Sequence, residues 1–465
     1  LYKRIKQIGR LLPLGSKFGT PLSAQKLYLI RGSVSAFTIQ GAAIVLGFMS
    51  GLALARWLGA EAYGIYTYVV SWLTVLGTVA ALGTEMFMVK QTAVLERQNK
   101  GLFKGAFLFN IAVVASSSVI VAALSGVYVY VVNPLLGKFS VQLLAQPVVQ
   151  YLMLITLTGL PFVALARTYE GTLRGGKHII SSQLPEMLLK PLLFLLLTGI
   201  FWFVGGRSIS LQTVVYLQLG ITILTLFGYI IMHRQKYANL LQNQLPVYEQ
   251  GLWFRGMMAF YAISLLSIIN TRADILLLGS LATSADVGIY NIAARLADVP
   301  KTILIAANIA MAPVMAELYV AKNQIALQKL LTRSVRLITL AGLPIVAFYL
   351  LGGRWLLGFW GGEFKSGYYA LVIMGIGQLY NLASGSVGIV LMMSGYAQWV
   401  SYGLGVGTVV NVALNFLLIP QYGLMGAAIA SAITMVVWNL LLTWAVVIKL
   451  RLDPTVLGIL SNTKQ

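Results

Sequence analysis

The sequence predicts an all-α, polytopic membrane protein of about twelve transmembrane helices, arranged as two six-helix bundles related by a parallel pseudo-two-fold axis. Three observations carry this reading. Of the 465 residues, 58% are hydrophobic and only 10% are charged, where soluble domains carry about 25% charged residues. Uncharged runs reach the ~20 residues a helix needs to cross a bilayer: Ser33 to Ala55, Ala62 to Thr84, Ser208 to Met232, and 83 residues from Ser366 to Ile448. The tripeptide Gly-Ile-Tyr occurs in EAYGIYTYVV (Glu61 to Val70) and again 224 positions on, in ADVGIYNIAA (Ala285 to Ala294). A closed barrel, the other way to span, would show ~10-residue alternating segments, and the sequence has none.

Turn residues and charges divide the chain into spans near 33–56, 62–85, 105–132, 147–168, 180–204, 209–232, 256–281, 287–315, 331–352, 367–393, 398–418 and 423–448. The last long uncharged run is cut at MSGYAQW and IPQYGLMG, because Gly, Pro and polar clusters mark turns. Both Gly-Ile-Tyr copies open a span, the second and the eighth. They lie six spans apart, and an even number of crossings restores the chain direction, so a parallel repeat follows. The organisation expected is an arm at 1–32, an N-terminal lobe at 33–232, a linker at 233–255, a C-terminal lobe at 256–450 and a tail at 451–465.

Lys and Arg gather in cytoplasmic loops. With both termini cytoplasmic, 24 of the 33 basic residues fall in cytoplasmic segments, Arg167, Arg174 and Lys177 of the loop between the fourth and fifth spans among them, and five in outer loops, among them Arg56. That distribution also disposes of nucleic acid as a partner for a chain of net charge +21, since anionic lipid heads attract the same cations. LYKRIKQIGRLL spaces Leu1, Ile5, Ile8 and Leu12 as one helical face and reads as an arm lying on the inner surface. It lacks the directly following apolar stretch of a cleavable signal. There are no cysteines, hence no disulfide or thiolate chemistry.

Several segments resemble a known family. LARWLGAEAYGIYTYVVSWLTVLGTVAALG (Leu54 to Gly83) is similar to the first hairpin of polysaccharide exporters in the multidrug/oligosaccharidyl-lipid/polysaccharide (MOP) superfamily, with the pattern A-R-x-L-G-x-x-x-Y-G-x-Y. ADILLLGSLATSADVGIYNIAARL (Ala273 to Leu296), IAMAPVMAEL (Ile309 to Leu318), NVALNFLLIPQYGLMGAAIASAI (Asn411 to Ile433) and GTLRGGKH (Gly171 to His178) resemble further segments in the same order. The resemblance spans essentially the whole chain. It implies a V-shaped pair of bundles exporting a lipid-linked sugar across the bacterial inner membrane by alternating access. Membrane lipids would be its surroundings, and a polysaccharide polymerase and chain-length machinery its neighbours.

An undecaprenyl-pyrophosphate-linked glycan has an anionic head, and a cation at mid-membrane usually faces a cavity or a partner. The intramembrane cations Lys190, Arg272, Arg295 and Lys301 are therefore candidates for substrate binding, with Arg56 at the outer end of the first span. Glu186 and Lys190, at i,i+4, can pair along one helix face. Arg272 and Asp274, at i,i+2, point to different sides. Asp274 sits at a position the family often fills with an acid; it is read as a proton carrier, a cation site or the partner of Arg295. Arg295, Asp298 and Lys301 share one stripe of the eighth span, which Pro300 should bend, with a ladder of pairs within the helix as the plainer reading. Asp274, Glu186 and Asp298 are the candidates for ion coupling or gating, with proton, Na+ and membrane potential all open. Asn411 and Asn415 are read as packing amides, Glu85 as structural, His178 and His233 as loop residues, and Trp253, Trp355, Trp360 and Trp399 as an interfacial belt.

Three function classes compete: a lipid-linked oligosaccharide flippase, a cation-coupled multidrug antiporter, and a membrane glycosyltransferase or polymerase. The enzyme is disfavoured, because no carboxylate pair, metal cluster or nucleophile constellation occurs and no cofactor is implied. The antiporter is disfavoured by an interior with four cations against three anions.

Overall fold

The computed structural model describes residues 24–136, 141, 143–242 and 244–458, and the regular elements among them are all helical. The arm at Leu1–Leu12 lies outside the described residues. The principal helices are α1 (Ala24–Ala81), α2 (Thr84–Gln98), α3 (Lys100–Val127), α4 (Pro147–Thr158), α5 (Leu160–Gly175), α6 (Ile179–Val204), α7 (Leu211–Leu241), α8 (Gln250–Leu281), α9 (Ser284–Ala297), α10 (Lys301–Val320), α11 (Gln324–Gly358), α12 (Tyr368–Ser384), α13 (Val387–Met393), α14 (Ala397–Tyr422) and α15 (Leu424–Leu450). Among the described residues, ten stretches are long and apolar enough to cross a membrane, and the bent pair α4–α5 makes an eleventh. The first stretch is itself two helices that meet at Gly59 (φ 76°, ψ 173°), a left-handed conformation that glycine adopts without strain. Dividing α1 there brings the crossings to twelve.

Helix ends extend past the apolar runs. The second crossing stops at Ala81, turns at Leu82–Gly83 and continues as α2 through the predicted loop. Helix α5 runs on to Gly175, so Arg167 and Arg174 are helical residues, not loop cations. Hydropathy marks only the part of a helix in hydrocarbon, whereas backbone hydrogen bonding continues into polar flanks. His233 likewise lies inside α7, 4% exposed, stacked on Phe107 with ring centroids 4.3 Å apart. The eighth crossing does more than bend: α9 ends at Ala297, and Pro300 precedes the first residue of α10.

Two apolar cores each serve one end of one half. One gathers Phe87, Phe103, Phe107 and Tyr229 of the N-terminal half, and another gathers Leu331, Leu391, Leu442 and Val446 of the C-terminal half. The largest core joins the halves around the start of the second crossing and α9, with Tyr63, Tyr68, Leu278, Tyr290 and Leu371 all buried. The halves therefore meet at the Gly59 end of the molecule. The repeated tripeptide lies at that contact. A Cβ on Gly64 would stand 1.7 Å from the Ser284 carbonyl oxygen, and one on Gly288 would stand 2.3 Å from that of Ala60. Asn291 donates to Tyr63 Oη at 2.9 Å and reaches Thr67, its own counterpart 224 positions earlier, at 3.5 Å. Equivalent positions touching is what a two-fold axis through the crossing requires.

Trp253 and Trp360, expected at the lipid interface, are each 2% exposed. Trp253 anchors the start of α8 in the N-terminal core beside Phe109 (centroids 5.7 Å), while the far end of α8 packs in the C-terminal half. Trp253→Ala is expected to cost about 3–5 kcal/mol, the usual price of emptying a buried aromatic site, read as a lowered thermal midpoint in detergent.

Candidate functional site

A cavity of about 360 Å3 lies beneath the Gly59 end, walled by the N-terminal half and, on the side of the other half, by Arg295. The first arm of α1 lines it with Gly47 and Ser50, the second arm with Tyr63 and Tyr66, α6 with Glu186, Lys190 and Phe194, α7 with Gln218, and α9 with Arg295. Arg295 thus crosses from the C-terminal half into space walled by the N-terminal half, and its Nη1 lies 3.4 Å from the Gly47 carbonyl. No carboxylate pairs with it among the described residues. Lys190 Nζ donates to Glu186 Oε1 at 2.6 Å, as the i,i+4 spacing predicts. The pair straddles the end of a π-helical turn over Leu184–Leu189, where Pro185 supplies no amide donor. Tyr66 donates to Gln218 at 3.3 Å and stacks on Phe194 with rings 12° from parallel.

Glu186, Lys190 and Gln218 also wall a second cavity, about 310 Å3, within the N-terminal half. Here Arg167 donates to Thr78 Oγ1 at 2.8 Å. Arg174 bridges Glu85, at 2.9 Å, and Glu170. Glu85 is thereby tied to α5. Sequence reading placed both arginines in a loop; the signal missed was the i,i+4 spacing of Glu170 and Arg174.

The remaining candidates separate. Arg272 is largely buried with its Nε unpartnered among the described residues, and the charges it feels are Arg295 and Arg167. Two residues along α8, Asp274 points into the C-terminal half and accepts four hydrogen bonds. Oδ1 takes Asn411 (2.9 Å) and Asn415 (2.7 Å), and Oδ2 takes Tyr290 (2.7 Å) and Ser431 (2.6 Å). It pairs with neither Arg295 nor Arg272. Asn411 and Asn415 are therefore more than packing amides, and their Oδ1 atoms remain buried without a partner among the described residues.

The expected ladder Arg295–Asp298–Lys301 does not form, because the break at residues 298–300 takes these side chains off one stripe. Asp298 instead accepts from Gln378 at 2.5 Å, starting an amide chain through Asn381 to Asn439. Lys301 is exposed and makes no ion pair among the described residues. Arg56, counted with the substrate cations, donates through Nε to the Phe359 carbonyl at 2.5 Å. The exposed carbonyls ending α11 draw the guanidinium there, into the seam between the halves.

A family model described as "Polysaccharide biosynthesis protein" matches residues 29–319, and the MatE model matches residues 257–417. No curated protein matches in sequence. Among solved structures, the chain is similar to an inward-facing multidrug resistance MATE family transporter of the MOP superfamily (TM-score 0.69, 17% identity, 91% of this chain and 96% of that one). It is similar to the lipid II flippase MurJ in an inward closed conformation (0.68, 15%, 90% and 87%), and to an outward-facing MATE family transporter (0.55, 15%, 90% and 94%). The chain belongs to the polysaccharide biosynthesis protein family, a multi-pass membrane protein whose helical fold is the one seen in MATE family and MurJ structures.

Proposed function

We propose that this transporter flips an anionic, lipid-linked oligosaccharide, of the undecaprenyl-pyrophosphate-linked kind, across a bacterial inner membrane by alternating access. One observation carries the reading. Arg295 in the interlobe cavity, Arg167 in the adjoining cavity and the largely buried Arg272 have no carboxylate partner among the described residues, whereas Lys190, which walls both cavities, is paired with Glu186. Cations at membrane depth without counter-ions are costly, and a pyrophosphate would supply the missing charge through charge-assisted, bidentate hydrogen bonds. A cationic drug would meet the opposite field, which weighs against the multidrug antiporter.

The end at which α2 meets α3 carries Arg97, Lys100 and Lys104, and the excess of basic residues there supports placing it in the cytoplasm. The halves meet at the other end, so the state described opens inward. The higher TM-score to the inward-facing than to the outward-facing transporter, 0.69 against 0.55, supports the same assignment. Asp274, with unpartnered amide oxygens beside it, is the proposed coupling site for a monovalent cation. Glu186 and Asp298, paired or hydrogen-bonded in this state, become gating groups.

The test is flipping of a fluorescent lipid-linked glycan in proteoliposomes. The parent protein is expected to translocate it, and Arg295→Gln or Arg272→Gln to lower the rate at least tenfold while leaving folded yield unchanged. Full transport by both Gln variants would remove the anion-site assignment.

A further inference from the structure

The two copies of the repeat begin their helices differently. At the C-terminal copy, α9 is capped by its own residues: Thr283 Oγ1 accepts from the Asp286 amide at 3.2 Å, and the Asp286 carboxylate accepts from the Thr283 amide at 3.3 Å. The positions 224 earlier hold Gly59 and Ala62, which offer neither hydroxyl nor carboxylate. The N-terminal copy has therefore lost its local cap, and the first amides of a helix need acceptors. The acceptor comes from the other half. Glu363 Oε2 takes the Ala60 N–H at 2.9 Å.

Glu363 belongs to a strap, residues 359–364, that leaves α11 and lies over the ends of both arms of α1. Its Phe359 carbonyl takes Arg56. Its Trp360 meets Phe48 edge-on at 4.9 Å, and its Phe364 packs near Tyr63 at 6.3 Å. Gly361 (φ 139°) turns the chain between them. The elements packed against the strap carry, among their charges, Arg56 and Glu61 on α1, Arg354 on α11 and Asp286 and Arg295 on α9, with Lys365 in its own turn.

We infer that Glu363 and Arg56 form an interlobe latch that holds the Gly59 end shut. A cap made within one helix survives any rigid motion of the halves. A cap made across the seam must break when they part, leaving the Ala60 amide unsatisfied and the Glu363 carboxylate unpaired. The closed state is therefore favoured by this contact, and the asymmetry between the two copies puts the bias on one side of the repeat. The inference rests on the alternation of the halves proposed above, but not on the cargo.

The chain has no cysteine, so a single Ser50→Cys, in the wall of the interlobe cavity, reports opening cleanly. Its modification by a membrane-impermeant cationic methanethiosulfonate reagent is measured in right-side-out and inside-out membrane vesicles. Glu363→Ala is expected to speed labelling from the Gly59 side about tenfold, the factor that loss of one charge-assisted hydrogen bond gives. Glu363→Gln keeps an acceptor and should raise it severalfold. Ala60→Pro removes the amide that needs capping while suiting a first helical position, so Glu363→Ala added to it should have no further effect. Unchanged labelling in Glu363→Ala, or an equal rise from both faces as general loosening would give, overturns the latch. If Glu363→Ala gives no folded protein, the Gln variant decides, and no rise there overturns it equally. Labelling needs no substrate: a normal latch with no glycan flipping would refute the cargo and leave this contact standing.

Discussion

Gly64→Ala is expected to stop transport and to leave the interlobe cavity open at the Gly59 end. The added methyl would stand 1.7 Å from the Ser284 carbonyl oxygen, 2.7 Å from its carbon and 3.0 Å from the Gly288 amide nitrogen. None of these is the end of a flexible side chain, so relief requires the second arm of α1 and α9 to move apart. Overpacking a tight site costs about 1–3 kcal/mol even where side chains can yield, and here backbone must move. A shift of ~3 kcal/mol changes a two-state ratio about a hundredfold. Labelling of Ser50→Cys from the Gly59 side should then rise by that order, and the flipping rate should fall as the inward-open state is lost. Gly288→Ala should behave alike, because its methyl meets the Ala60 carbonyl oxygen at 2.3 Å. Gly126→Ala, with nothing within 4 Å of the new atom, is the control and should leave both readings unchanged. A Gly64→Ala protein that flips at the parent rate would show that this crossing is not required to close.

That contact was half legible in the sequence. The recurrence of Gly-Ile-Tyr gave the repeat and its parallel sense, since an even number of crossings separates the copies. Nothing in either copy says that the two touch: contact at a symmetry axis is set by how far each helix lies from that axis, which a tripeptide does not encode. The crossings were legible because hydrocarbon imposes a length on every span. Their polar ends were not, and Arg167 and Arg174 were assigned to a loop because charges and turn residues were taken to end a span. Lys190 and Glu186 were found because i,i+4 geometry is local. The partners of Asp274 were not, because Tyr290, Asn411, Asn415 and Ser431 come from three further helices, and chain spacing carries no information about which helices become neighbours. Arg56 poses the converse problem. A cation at a membrane boundary looks the same in sequence whether it meets a phosphate or, as here, a helix C-terminus in the seam.

Asp274→Asn is expected to uncouple transport from its driving ion. The carboxylate is held by four donors, and a neutral amide in its place can accept through only one oxygen. Its NH2 would face either the Asn411 and Asn415 amides, which offer only donors there, or the Tyr290 and Ser431 hydroxyls, which must turn round to accept, and each buried polar group left unsatisfied costs about 1–3 kcal/mol. The direct consequence concerns occupancy. If Asn411 and Asn415 turn their free Oδ1 atoms inward, the carboxylate, two amide oxygens, Ser431 Oγ and Tyr290 Oη make an oxygen shell around one negative charge. Hard cations take such ligands, and a single carboxylate suits a monovalent ion. Binding there would draw α8, α9, α14 and α15 together, and α8 reaches into the N-terminal core through Trp253. Flipping by the parent protein should therefore accelerate with an imposed sodium gradient. The Asp274→Asn rate should fall at least tenfold and no longer respond to that gradient, while the arginines proposed as the anion site should keep their affinity for the proposed glycan headgroup. A parent rate that follows the proton gradient with sodium absent would assign the same carboxylate to a proton, and a gradient response preserved in Asp274→Asn would place coupling elsewhere in the chain.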